Sequence, residues 1–214
     1  MQWRRCAAAV ALVVGLVLAT GAAGIAAGPA ATRIVYVAPV DAHGHPVTTD
    51  LILLATKGTC EIGSDSVPGP VYRCFNDDNT VLDPCWAARG LVADPHHRAV
   101  LCMPFPWSPY VVRLDSNGLQ PSTQLVPRSL SYPWGVRLAN GDNCIAEQGA
   151  HDRYRARVVD YACGPGYRLV LLRGMHQSRE PWTFDSAIWD RKSLSYSPGP
   201  TETVTLAWYG GPAP

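Results

Sequence analysis

Apolar residues fall into two patterns along this chain. The first is one unbroken run, from Ala7 to Leu18, with Arg4 and Arg5 before it and small residues crowding positions 20–31. Everything after it is short. Runs at 33–37, 51–55, 72–75, 99–103, 134–139, 142–147, 157–163, 167–172, 182–189 and 203–209 are β-branched, aromatic or alternating, and Gly, Pro, Asn and Asp separate them. Runs of that length and spacing predict strands, about nine or ten in all, and none carries the 3.6-residue period of an amphipathic helix. The fold class expected is all-β: a disulfide-stapled sandwich or partly open barrel built from short antiparallel strands.

Turn chemistry places several of the connections. Asn140-Gly141 suits the two positive φ values of a type I′ turn, so the 134–147 hairpin should set Val136 opposite Ile145, with Trp134, Val136 and Leu138 on one face and Cys144 on the other. Gly164-Pro165-Gly166 closes a second hairpin, and Ser116-Asn117-Gly118 reads as a further turn. Asn76-Asp77-Asp78-Asn79 competes for its own backbone hydrogen bonds and also favours a turn. Pro104 to Tyr110 alternates prolines with aromatics and should remain extended as a sheet edge or crossing strap.

The opening apolar run is laid out as a secretory leader: positive residues, a hydrophobic stretch, then small residues where cleavage after Ala22, Ala26 or Ala27 fits. The rival is an uncleaved anchor, since apolar and small residues continue to Ala31, near the ~20 residues that a bilayer span needs. The Gly- and Ala-rich second half fits a cleavage region better. The expected organisation is a signal peptide over 1–27, an N-terminal strand and loop over 28–50, one β-rich disulfide-stabilised domain over 51–209, and a flexible tail over 210–214. Contact with a membrane is expected only if the leader is retained.

Removing the leader removes Cys6. Six cysteines remain, Cys60, Cys74, Cys85, Cys102, Cys144 and Cys163, and an even count in an exported chain reads as a disulfide framework. No CxxC or CxxH spacing supports a redox motif or a zinc site. Six cysteines can pair into three bridges in about fifteen ways, and spacing does not resolve which. The shortest loops join Cys60 to Cys74, Cys85 to Cys102 and Cys144 to Cys163, each restraining the unfolded chain by about 3 kcal/mol.

Charge narrows the partners. The chain has 18 Lys+Arg against 17 Asp+Glu, and loss of Arg4 and Arg5 leaves 16 against 17. A sequence-blind grip on nucleic acid needs a positive excess that is missing here. His151, Arg153, Arg155 and Arg157 would share one face at strand spacing, and arginine forks onto carboxylate or phosphate. With Trp107 and Tyr110 of the proline-aromatic strap, Arg153, Arg155 and Arg157 make the candidate ligand patch. Its bland alternative is a solvated outer face, with Phe105 and Trp107 as core plugs.

Other candidate chemistry is thin. Asn76, Asp78 and Thr80 alternate like the first ligands of a calcium loop, but Val81 follows where an EF-hand wants glycine, and no glutamate closes the loop. His43 with His45, and His96 with His97, lack a third ligand. There is no GxSxG, HExxH, P-loop or GxGxxG fingerprint. Asp83, Glu147 and Asp185 are acids that would serve glycoside hydrolysis if the fold paired them. No catalytic residue, metal or cofactor is implied.

Arg73-Cys74, then Asn79-Thr80-Val81-Leu82-Asp83-Pro84-Cys85-Trp86, Cys102 and Pro106-Trp107, resembles a family of uncharacterised exported bacterial proteins with an RC, NxIxDPCF, C, PW series. Trp134, Leu138, Asn140-Gly141, Cys144, Tyr161-Ala162-Cys163 and Ala207-Trp208 resemble the second half of that family. Val81 replaces its isoleucine and Trp86 its phenylalanine. The resemblance implies an exported, cysteine-bridged domain and assigns no reaction. The expectation is therefore a secreted or envelope-associated domain that binds an envelope polymer, such as one of the cell wall, a peptide or another extracellular protein without turning it over. The alternatives are a secreted hydrolase with an acid or histidine site, and a protease inhibitor presenting the 122–131 stretch.

Overall fold

The computed structural model describes residues 30–47, 52–64, 66–90, 98–119 and 132–211. The leader, His96, His97 and the 122–131 stretch lie outside the described residues. Five strands, β2 (Ile52–Gly63), β3 (Val71–Asn76), β4 (Val81–Ala88), β5 (Arg98–Cys102) and β6 (Tyr110–Leu119), follow one another into a closed barrel. Each step is antiparallel until β6 meets β2 in parallel. Pro84 lies where β4 carries one more residue than β3 between paired positions, a bulge that spares the ladder a missing N–H. The extra residue changes the parity of the strand, so Leu82 and Cys85 both enter the barrel while Trp86 turns outward.

The rest of the chain builds a second sheet from β7 (Gly135–Leu138), β8 (Asn143–Ala146), β10 (Arg157–Cys163), β11 (Leu169–Leu172), β12 (Thr183–Asp190) and β13 (Ser195–Gly210). Its order is β13-β12-β11-β10-β8-β7, and β7 returns to pair with β13, which closes this sheet too. The short β9 (Arg153–Tyr154) hangs on β10, and β1 (Arg33–Val37) runs parallel to the end of β13. The N-terminal strand is thus built into the second sheet. The last strand reaches Gly210, and Gly211 donates to the Val37 carbonyl.

The architecture is all-β, two barrel-like closed sheets held by three disulfides. Cys60–Cys74, Cys85–Cys102 and Cys144–Cys163 each join residues directly opposed on neighbouring antiparallel strands. Four of the seven buried residues inside the first barrel are these cysteines, so its small interior leans on covalent closure more than on packing. The second barrel is filled conventionally, with Val136, Leu138, Tyr161, Leu171 and Phe184 among its inward positions.

A third core lies between the barrels. Trp86 of β4, Trp134 ahead of β7 and Trp208 of β13 meet there with Val67, Leu101 and Met103. The Trp86 and Trp134 rings stand edge to face at 5.8 Å, an arrangement worth about 0.5–1.5 kcal/mol beyond the area it buries. Six tryptophan and aliphatic side chains removed from water at this seam make the two barrels one packed unit.

Two turn expectations need correcting. The 134–147 hairpin places Val136 opposite Cys144, and both are fully buried. Gly141 (φ 92°) is the positive-φ residue of this loop, and Leu138 exchanges hydrogen bonds with Asp142 and Gly141, so the loop has three residues and the register moves by one. Ser116 to Gly118 is strand, not turn: Ser116 is buried, paired with Arg98 of β5 and with Gly58 of β2. Two flanking strands satisfy this backbone and override its turn-forming composition.

Candidate functional site

Two adjoining hollows among the described residues run along the outer face of the second barrel where the first barrel overhangs it. One of about 450 Å³ reaches from the β7–β8 turn to the β10–β11 turn, and one of about 570 Å³ continues to Thr80–Leu82 of the first barrel. Phe105, Ile145, Ala162 and Tyr167 line both, so the two form one groove. Its floor follows from strand alternation. Cys144, Ala146, Tyr161 and Cys163 point into the barrel, which leaves the directly opposed Ile145 and Ala162 facing out.

Aromatic rings form the walls. The segment between β5 and β6 carries Phe105 and Trp107, with ring centroids 5.5 Å apart, and Trp107 lies 5.3 Å from Trp208 of the seam. Gly135 lets this strap come close: a Cβ there would sit 2.7 Å from Pro106 and 3.1 Å from Trp107. Tyr167 stands on the other side, 48% exposed, held at φ 53° in the tight β10–β11 turn.

Polar groups edge both ends. At one end are Asp142 and Asn143, where Asn143 Oδ1 accepts from Arg137 Nε at 2.9 Å and Asn140 Nδ2 donates to Asp142 Oδ2 at 3.2 Å. At the other are Thr80, Glu147 and Gln148, whose Nε2 donates to the Asp83 carbonyl. Burial pushes the half-buried Glu147 carboxyl up, His151 pulls it down and Asp152 pushes it up further. The charge of Asp142 bears on Glu202, which burial and Asp142 together raise. Asp142 lines the hollow at the β7–β8 turn, and Glu147 lines the one that continues to the first barrel. Among the described residues, no lysine, arginine or histidine lines it.

The arginine stripe does not exist as a single face. Arg155 (φ 48°) and Ala156 (φ 65°) make a tight turn, so β9 folds back on β10 with Arg153 opposite Val158 and Tyr154 opposite Arg157. Arg153 and Arg157 consequently lie on opposite faces. Arg157 is held by Asp185 at 2.6 Å and donates to the Arg173 carbonyl, while Arg155 lies over the Tyr154 ring at 5.2 Å. His151 contacts the Val159 carbonyl through Nδ1 at 2.7 Å. Tyr110 is half exposed beside Ile52 on the first barrel and does not line the groove. Of the candidate patch, only Trp107 is part of it.

The remaining candidates have structural work. Asn76 Oδ1 accepts from the amides of Asp78 (3.1 Å) and Thr80 (2.7 Å), which closes the acidic turn on itself. Asp41 Oδ1 does the same for His43 and His45, and those bonds hold its carboxyl below the usual range. Asp83 is buried and accepts from Ser64 Oγ, and Asp185 is on the outside with Arg157 and His176. The three acids are not brought together. Sulfurs of Cys74, Cys85 and Cys102 lie within 4.8 Å of one another, but all three are in disulfides, so they offer no thiolate to a metal.

Reasoning from residues alone missed Tyr167, Asp142, Asn143 and Gln148. The available signal was the pair of turns, Asn140-Gly141 and Gly164-Pro165-Gly166, which bring their flanking side chains to the same edge. No family model, curated protein or solved structure matches the chain.

Proposed function

We propose that this is a secreted or envelope-associated binding domain whose groove holds a strand of cell-wall glycan without cleaving it. The observation that carries this reading is the pairing of aromatic walls, Phe105 with Trp107 on one side and Tyr167 on the other, with amide and carboxylate edges. Aromatic faces stack on the apolar faces of sugars while the polar edges take their hydroxyls, the division of labour that ligand clefts generally use. Hydrolysis of a glycosidic bond needs two carboxyl groups roughly 5–10 Å apart across the scissile bond. Asp142 lines one of the two adjoining hollows and Glu147 the other, which supports binding over turnover.

The test is co-sedimentation of the mature chain with purified cell-wall fractions, beside Phe105→Ala and Tyr167→Ala. Retention of the parent chain and loss in both variants is the expected result. No retention, combined with turnover of a sugar panel that Glu147→Gln abolishes, would replace this reading with a hydrolase.

A further inference from the structure

Resting on that reading, we infer that the groove selects amino-sugar chains bearing free amines over their acetylated or anionic counterparts. The charge of the lining decides the ligand class. Asp142 at one end and Glu147 at the other are carboxylates, and no cationic side chain lines the space between them among the described residues. Gln148 has committed its amide N–H₂ to the Asp83 carbonyl and so offers its oxygen. Donors to the ligand come from the amide of Asn143, whose oxygen Arg137 already occupies, from the Thr80 and Tyr167 hydroxyls and from the Trp107 indole N–H. The charged side chains among the described lining residues are thus both carboxylates, one toward each end.

A ligand that fits must supply donors and positive charge, spaced along a chain with apolar faces for Phe105 and Tyr167. An ammonium on a pyranose ring does both, because it turns an ordinary hydrogen bond to a carboxylate into a charge-assisted one. Acetylation removes that charge, and a uronate or phosphate would bring like charge to both ends of the groove. Glu147 is the more telling of the two carboxylates. It is half-buried, its neighbours His151 and Asp152 act on it in opposite directions, and burial disfavours its ionised form until a cation arrives.

Affinities of the intact mature chain for a glucosamine hexamer, the matching N-acetylglucosamine hexamer and an oligouronate, measured by titration calorimetry at two salt concentrations, test this. The free-amine hexamer should bind about tenfold more tightly than the acetylated one, an advantage that salt shrinks. Glu147→Gln and Asp142→Asn should each remove about three- to tenfold of that preference, weakening the free-amine hexamer more than the acetylated one. Asp190→Asn, a carboxylate away from the groove, should leave the preference intact. Equal or tighter binding of the acetylated or anionic oligomer overturns the inference, as does equal loss in Asp190→Asn, which would mark general surface charge. Failure of all three oligomers to bind, or binding unchanged in Phe105→Ala, would instead overturn the glycan reading itself.

Discussion

Gln148 of the second barrel donates its side-chain amide to the main-chain carbonyl of Asp83 in the first. The contact joins the groove's edge to a buried polar corner. Asp83 accepts from Ser64 Oγ, and that oxygen in turn accepts from the amides of Ser66 (3.3 Å) and Val67 (3.1 Å). Val67 belongs to the tryptophan seam, so one short chain of hydrogen bonds connects groove, corner and seam.

Replacing Gln148 tests that connection. Gln148→Ala loses one hydrogen bond and leaves a carbonyl short of a donor, at a cost of about 1–2 kcal/mol. For a chain of this size the melting temperature should fall by about 2–4 °C per kcal/mol. Gln148→Glu should be worse than alanine at neutral pH, because a carboxylate cannot donate and faces the carbonyl with like polarity. Thermal melts of the two variants decide it, and equal melting of alanine, glutamate and parent chains would show that the contact does not tie the barrels.

Glu147 gives a pH-dependent prediction. Its folded-state carboxyl is raised above the ordinary 4.5, chiefly by burial. A raised acid contributes stability fully present below its unfolded value and lost as pH rises through the folded value. At neutral pH the ionised carboxylate is therefore a liability to the fold. Glu147→Gln should melt higher than the parent at pH 7, and the two curves should converge below about pH 4. A stabilising substitution that weakens ligand binding is the signature of a group kept for function. Lower stability of Glu147→Gln at pH 7 would contradict this account of the site.

Fold class was legible because periodicity is local: short alternating runs such as 134–139 and 157–163 announce strands wherever they lie. What local pattern cannot report is how a strand is used by its neighbours. Asp83 and Pro84 are turn formers by preference, yet the bulge opposite Tyr72 and Cys74 accommodates them inside β4. Pro198 and Pro200 lie outside the runs that predict strands, yet Pro198 pairs with Ala187 and β13 runs through both. In both places tertiary pairing overrules residue preference. The groove was less visible still. Ile145 and Ala162 stand side by side only after β8 and β10 pair, and the strap covering them comes from the other barrel.

Thr32 clamps the junction where β1 and β12 succeed one another along β13. Its hydroxyl donates to the Val204 carbonyl at 2.7 Å and accepts from the Trp182 amide at 2.8 Å, and its own amide donates to Glu180 Oε2 at 2.8 Å. The residue is buried. Thr32→Val keeps the shape but strands a buried donor and a buried acceptor, which should cost about 2–4 kcal/mol. Thr32→Ser keeps the hydroxyl and loses only a methyl, about 1 kcal/mol. Denaturant unfolding should rank parent, serine and valine in that order. A valine midpoint at the parent's value, with serine below it, would show that the methyl, not the hydroxyl, matters.

The first half of β2 differs from the rest of its barrel. Residues 52–58 pair with β6 on one side, but β3 joins the other side only from Gly58, opposite Asn76. Among the described residues, 52–56 have no sheet partner along that second edge. Ile52, Leu53 and Leu54 are 44–54% exposed, so successive side chains show apolar surface on both faces of the strand. Such an edge presents free N–H and C=O groups flanked by hydrophobic surface, the arrangement that templates strand pairing between molecules. The parent chain should accordingly self-associate as concentration rises. Leu54→Lys should suppress this by placing a charge on the edge, with little loss of stability because Leu54 is more than half exposed. Sedimentation velocity across a concentration series, with a thermal melt of each protein, separates the two effects. A parent chain that stays monomeric throughout would mean that the edge is covered, and association unchanged by Leu54→Lys would place the contact elsewhere.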